Sequence, residues 1–223
     1  MKVLYVGLAR SLWLFDISLL NPKGMNLQVV IDGIRERYHF AQAPKHQLDL
    51  DERRGLLFKS GTFQTSKGTP VFVSFSIYND GFVADTLSST DDATEFLNDL
   101  TSWIREEYGL AVPTQIRKAY VGQIDFETEA ELVLLSPRLR EIIKFLGDHV
   151  KPPDAKPRQF DVNSLGFWTE DLGQPSAPAS FKWERKIGAA FSSNHYFSEA
   201  PLETKAHIDL LVEFERLLKE AAN

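Results

Sequence analysis

The chain has 223 residues, 43% of them hydrophobic and 25% charged, with a formal net charge of −6 and no cysteine. A chain this long buries a core without staples, and the missing cysteines exclude disulfides, thiolate nucleophiles, iron–sulfur clusters and cysteine zinc sites, which fits a reducing, cytoplasmic setting. Charge is spread evenly, with 11 basic and 14 acidic residues in 1–112 and 14 and 17 in 113–223, so no basic arm of the kind that tracks phosphates stands out.

Met1–Arg10 has the outline of a signal peptide, but Arg10 interrupts its apolar run and Asp16 breaks the next, so it reads as a strand. No uncharged apolar stretch nears the ~20 residues of a membrane helix. Val3–Leu8 and Leu12–Leu19 are of strand length, and Asn21-Pro22-Lys23-Gly24 is a turn. Leu27, Val30, Ile31, Ile34 and Tyr38 then recur at helical spacing. Residues 41–55 read as a loop that ends in the charged cluster Asp49–Arg54.

Three strands follow: Leu56–Phe63, the alternating run from Val71 to Tyr78, and Phe82–Leu87. Asn79-Asp80-Gly81 tolerates the positive φ of a tight hairpin between the last two. Ser88-Ser89-Thr90-Asp91-Asp92 is a helix start, because a hydroxyl caps the first amides and the acids favour the positive dipole end. The helix carries Phe96, Leu97, Leu100, Trp103, Ile104 and Tyr108 and stops at Gly109.

The order then repeats. Gln115–Phe126 and Ala130–Leu135 read as strands, and Ser136 and Pro137 open a helix with the stripe Leu139, Ile142, Ile143 and Leu146. Lys151–Arg158 is a proline-rich loop. Phe160–Trp168, Ser180–Ile187 and Ala190–Phe197 are strands, the first two separated by the loop Gly173–Ala179. The last helix starts near Thr204 and carries Leu210, Leu211, Phe214, Leu217 and Leu218.

Leu19-Leu20-Asn21-Pro22-Lys23 returns as Leu134-Leu135-Ser136-Pro137-Arg138, and Tyr5-Val6-Gly7 as Tyr120-Val121-Gly122. Both returns come at an offset of 115 residues. The offset becomes 112 in the following helix and 114 in the last one. The expected fold is therefore α+β: two pseudo-repeated ββαβββα units, 1–112 and 113–223, packed as one compact molecule. The sheet is mainly antiparallel, with helices on one face. In element order this resembles saddle-shaped and helix-grip α+β proteins, the TATA-binding fold among them. None of that family's motifs is present, and its function is not carried over.

Chemical motifs are sparse. The 13 glycines form no phosphate-binding pattern, and GxSxG, HExxH and EF-hand signatures are absent. No two of the five histidines lie three or four residues apart, so neither a metal nor another cofactor is expected. His195 and His207 bracket Tyr196-Phe197-Ser198-Glu199 and form either an acid–base site or a strand residue and a surface helix residue. Asp16, Asp85, Asp125 and Asp161 sit in apolar strands and either share a proton with a neighbour or face water. Phe181-Lys182-Trp183-Glu184-Arg185-Lys186, near Trp168, alternates aromatic with charge. It either stacks a ring beside a phosphate or is a strand with Phe181 and Trp183 turned inward.

Three functions remain open. The first is a non-catalytic interaction or accessory subunit of a cytoplasmic assembly, with another protein as partner in a hetero- or homo-oligomer. The second is a ligand- or nucleic-acid-binding protein using the concavity between halves, with Trp168, Trp183, Arg185, His195 and Tyr196 as binding residues; an acidic chain is not expected to track nucleic acid. The third is a hydrolase with a non-contiguous Ser/His/Asp site. No catalytic residue is singled out and no membrane partner is expected.

Overall fold

Thirteen residues of unbroken β-strand, Lys2–Leu14, open the chain. The computed structural model describes residues 1–21, 26–45, 55–136, 138–151, 153–154, 156, 158–170 and 177–221. The first run of elements is β1 (Lys2–Leu14), a 3-10 turn (Ile17–Leu20), α1 (Leu27–Arg37), β2 (Leu56–Gln64), β3 (Pro70–Tyr78), β4 (Gly81–Thr86) and α2 (Thr90–Tyr108). The second is β5 (Arg117–Glu127), a 3-10 turn (Leu132–Leu135), α3 (Leu139–His149), β6 (Ser164–Phe167), β7 (Phe181–Arg185), β8 (His195–Ala200) and α4 (Thr204–Ala221). The fold is α+β, and the two runs share one element order. The two 3-10 turns are offset by 115 residues at both ends, α1 and α3 by 112, and β4 and β8 by 114. The strands form an antiparallel sheet in the order β2-β3-β4-β1-β5-β8-β7-β6.

Some expected local structure differs. The second apolar run of each half, Leu12–Leu19 and Ala130–Leu135, is not a strand. β1 continues to Leu14, and each run ends in a 3-10 turn. Asp16 explains the first: its carboxylate accepts from Ser18 N at 2.9 Å, which turns the chain away from the ladder. In the second, Leu132 and Val133 are buried in the turn, and a short apolar run does not by itself distinguish strand from helix. Likewise Ala190–Phe197 holds a 3-10 turn at Phe191–Ser193 before β8 starts at His195. Pro22, Lys23, Gly24, His46, Asp49–Arg54 and Pro137 lie outside the described residues, as does most of the loop 173–179.

The chain divides into two compact units. One comprises residues 6–122 and 201–204. Its core joins alternate residues of the strands, Trp13, Phe58, Val73, Phe75, Phe82 and Ala84, to the stripes Val30–Ile31–Ile34 of α1 and Phe96–Leu97–Leu100–Ile104 of α2. Rings meet edge to face around Phe96, with Tyr38 at 4.8 Å and Phe63 and Phe75 at 5.7 Å. The hairpin between β3 and β4 pairs Tyr78 with Gly81. Of Asn79, Asp80 and Gly81, only the glycine has positive φ, at 143°. A Cβ there would lie 1.9 Å from Trp13 O, so no other residue fits. Ser89 caps α2 by accepting from Asp92 N at 3.1 Å, and Gly109 ends it in the left-handed region at φ 65°.

The other unit comprises residues 1–5, 123–200 and 205–223. Ile124 and Phe126 of β5, Trp183 of β7 and Tyr196 of β8 pack with Leu211 and Leu218 of α4. Leu132 and Ala130 close that core. Trp183 meets Phe126 at 4.9 Å and Phe214 at 4.8 Å, both edge to face.

Candidate interaction surface

The helices α1 and α3 have the same length, place in the order and apolar spacing. In α1 the stripe is interior: Val30, Ile31 and Ile34 are 6%, 2% and 2% exposed. In α3 no residue is buried. Ile142 is 57% exposed, Phe145 60%, Leu146 39% and the following Val150 44%. The stripe Leu139, Ile142, Ile143 and Leu146 is present as expected, but only its inner side is partly covered: Leu139 and Ile143 are half-buried, and Ile142 and Leu146 are exposed. Beside the helix lies a groove of about 500 Å³ lined by Ile143, Arg140, Val133, Phe160 and Phe191. Phe145 and His149 stack with ring centres 4.0 Å apart along the outer side. Ile142, Phe145, Leu146 and Val150 thus leave an apolar face of α3 open to solvent.

The five residues singled out from the sequence are scattered by the structure. Trp183 and Tyr196 are 0% exposed and belong to the core, so neither offers a ring face to a ligand. Arg185 is 8% exposed. Its guanidinium pairs with Asp161 and donates to Val162 O and Phe191 O, both at 3.2 Å. It also lies 5.0 Å above the Tyr196 ring. These contacts tie the segment 161–163 and the Phe191 turn to β7 and hold the guanidinium in the interior, away from solvent. The inward orientation of Phe181 and Trp183 is the one observed, with Lys182 outward. Trp168, 76% exposed, is the member of the set that stands in solvent, next to Phe167, whose ring stacks on Phe181 at 5.7 Å.

The fifth residue, His195, lies with Nε2 3.2 Å from Asp125 Oδ1, an atom that also accepts from Lys186 Nζ at 2.7 Å. The bonds to Asp125 and to the Tyr5 hydroxyl hold the Lys186 pKa above its ordinary value. Asp125 does not face water as an alternate strand residue would. It is 2% exposed beneath that lysine and histidine. Asp85 is clamped by Arg10 at 2.7 and 2.8 Å. Each of the strand carboxylates is thus already satisfied.

His207 is also corrected. It is fully buried rather than on the surface. Its Nε2 lies 2.8 Å from Ser198 Oγ, which in turn donates to Lys182 O at 2.7 Å. Because the Ser198 proton is committed to that carbonyl, Nε2 of His207 carries the hydrogen and donates, and Nδ1 is left without a partner. Burial pushes the His207 pKa down to about 4. The parts of a hydrolytic triad therefore exist as two separate pairs, His195 with Asp125 and His207 with Ser198. His195 and Ser198 are three residues apart on β8, hence on opposite faces of the strand. No Ser–His–Asp chain forms among the described residues.

A second groove, of about 510 Å³, is lined by Arg37, Tyr38, Thr62, Gln64 and Asp99. Its charged groups are spent on each other: Asp99 accepts from the Tyr38 hydroxyl at 2.6 Å and from Arg37 at 3.1 Å. Among the described residues no cluster of three or more His, Asp or Glu is arranged for a metal, and no helix is long and apolar enough to cross a membrane.

No protein-family model matches the chain, and no curated protein matches it. Among solved structures, it is similar to one described as Methanococcus jannaschii TBP, at 13% sequence identity and a TM-score of 0.45, over 98% of both chains. A likeness at that level of identity and superposition says nothing of what this chain binds.

Proposed function

We propose that the protein is a non-catalytic interaction or accessory subunit that docks a partner on α3. The observation that carries this reading is the exposure of the α3 stripe, Ile142, Phe145, Leu146 and Val150, on a helix whose counterpart α1 is interior. An isolated helix of three turns is marginal in water, so an apolar face this open is stabilised by whatever covers it. The two runs of elements, taken as 1–112 and 113–223, are read as copies of one ancestral unit. In that view the second copy's helix has been freed from its core for binding. A photoreactive phenylalanine analogue at position 145, irradiated in extracts of the source cells, tests the reading. A discrete heteromeric adduct is expected, absent when Ile142→Asp and Leu146→Asp are added. No adduct from position 145, or one indifferent to the double substitution, overturns it.

A second reading, a ring- or base-binding surface, is favoured by one observation, the exposed Trp168 beside Phe167 and Phe181. Tryptophan fluorescence titrated with single-stranded oligonucleotides at low salt is expected to quench if it holds. Quenching that survives Trp168→Ala rules it out.

A further inference from the structure

Among the described residues β2 and β6 end the sheet, and their outer edges are finished differently. In β2 the main chain that follows α1 covers the edge. Gln42 N donates to Lys59 O at 3.2 Å and Lys59 N to Gln42 O at 2.8 Å, Ala41 N donates to Ser60 O at 3.4 Å, and Thr62 N donates to Tyr38 O at 2.8 Å. This cover runs antiparallel to β2. Its Phe40 lies so close over Gly61 that a Cβ there would stand 2.4 Å from the ring. In β6 the edge is bare. Arg185 N donates to Asn163 O at 2.8 Å, so by the alternation of an antiparallel ladder Ser164 and Gly166 turn their N–H and C=O groups away from β7. Among the described residues no hydrogen bond reaches those groups. Ser164 and Gly166 are exposed, and no charged residue or proline lies between Val162 and Thr169 to blunt the edge. Gly166 is not demanded by its own fold: its φ lies outside the left-handed region, and a Cβ there would meet only Phe181 O, at 3.5 Å. A strand glycine of this kind leaves room for another backbone to approach.

We infer that β6 takes a short extended segment of another protein as an added strand, a second docking site that does not rest on the α3 reading above. The cover of β2 displays the form of such an occupant: a few extended residues that exchange main-chain bonds with the edge and seat a side chain over a glycine. Main-chain bonds supply the hold, and side chains at alternate positions supply the choice. Phe167 and Trp168, 57% and 76% exposed, point to opposite faces of the sheet at the end of β6. The segment that fits is therefore apolar where it passes these rings. It has no proline at the positions that bond to Ser164 and Gly166, because proline lacks the N–H. The edge is uncharged, so acidic and basic flanks are not distinguished there. A second copy of this chain fits poorly. The four residues of β6 span only ~13 Å, which falls short of the ~800 Å² per partner of a stable interface. A segment held by its main chain needs no such area.

The test selects a library of random eight-residue peptides, displayed on phage, against the full chain, with counter-selection on Gly166→Pro. The Gly166 N–H lies outside the β6–β7 ladder, so proline there removes an outward donor and keeps the sheet. The enriched peptides are expected to bind the parent and Ser164→Ala alike and Gly166→Pro roughly tenfold more weakly. N-methylation of such a peptide is expected to cost roughly tenfold at every second residue and little in between, because only alternate amides face β6. Hydrogen exchange at Ser164 and Gly166 slows on binding. Where Gly166→Pro lowers the unfolding midpoint, the N-methyl series and the exchange of these two amides decide alone. The absence of any enriched peptide overturns the inference, and so does binding without the period of two in the N-methyl series. Peptides retained by Gly166→Pro and lost with Ile142→Asp and Leu146→Asp bind α3 and overturn it too, as does a concentration-dependent dimer that Gly166→Pro disperses. The α3 reading fails separately, when position 145 yields no adduct sensitive to the Ile142→Asp and Leu146→Asp pair.

Discussion

Thr90 and Thr204 cap each other. Thr90 N donates to Thr204 Oγ1 at 2.9 Å, and Thr204 N donates to Thr90 Oγ1 at 2.8 Å. Each is the first residue of its helix, α2 or α4, and they are 114 residues apart, the offset that also relates β4 to β8. The first amides of a helix have no partner within it. Here two buried ones are satisfied by a single reciprocal exchange. Thr90→Val keeps the shape and removes the acceptor, which strands the Thr204 amide away from water. We expect a loss of about 1–3 kcal/mol in urea unfolding, with Thr90→Ser close to the parent. In a double-substitution cycle with Thr204→Val the two losses are non-additive, because each change breaks part of the same exchange. Additive losses would show that the two bonds act independently.

The pair α1 and α3 gives a second prediction. Ile34 and Leu146 occupy equivalent places, 112 residues apart, with exposures of 2% and 39%. Ile34→Ala opens a cavity in a packed core and is expected to cost about 2–5 kcal/mol. Leu146→Ala is expected to change stability by no more than about 0.5 kcal/mol in the isolated protein. Denaturant midpoints at constant m-value decide it, and equal costs at the two positions would contradict the exposure of α3.

His207 makes stability depend on pH. Its folded pKa is about 4, below the unfolded value of 6.5, because burial disfavours the imidazolium. Above 6.5 both states are neutral there and the residue is indifferent. As pH falls from 6.5 towards 4, the unfolded chain takes up a proton that the folded chain refuses, so stability is progressively lost. The full effect is about 3 kcal/mol, reached near the folded pKa. His207→Gln keeps a donor for Ser198 and removes the titration. The stability difference between parent and variant is expected to be flat above pH 7 and to shift by roughly that amount by pH 4. A difference independent of pH places the imidazole in contact with water.

Arg185 is expected to be costly to replace even by a residue of its own charge. Its fork joins Asp161, Val162 O and Phe191 O, three acceptors that a lysine ammonium cannot reach together. Arg185→Met leaves Asp161 as an uncompensated, nearly buried charge, a loss of about 3–5 kcal/mol. Hydrogen exchange of β7 and its neighbours, read with the unfolding curve, checks this. Loss confined to a few tenths of a kcal/mol would mean that the guanidinium is not holding the segment.

How far the local structure is legible in the sequence follows from these residues. The turn from Tyr78 to Gly81, the Ser89 cap and the Gly109 stop rest on interactions within a few residues, and a sequence displays those, although the close approach of Trp13 O that demands glycine at 81 is a tertiary contact. Asp16 misled because its side chain competes for a backbone amide two residues on, which apolar patterning does not register. The binding set failed to assemble because alternation turns Trp183 and Arg185 inward, while Trp168 lies just past the end of β6 in solvent.

By itself the sequence determined that α1 and α3 each have one apolar face, since that depends only on the 3.6-residue period. Whether such a face is interior was decided by tertiary structure alone. Ile34 has a core brought against it from residues far along the chain, and Leu146 does not. The same holds for His207, which is charged or neutral at moderate acidity according to what packs around it, here the edge of the Phe181 ring and the Ser198 hydroxyl. Periodicity records which side of a helix avoids water, and only the arrangement in space records what it finds there.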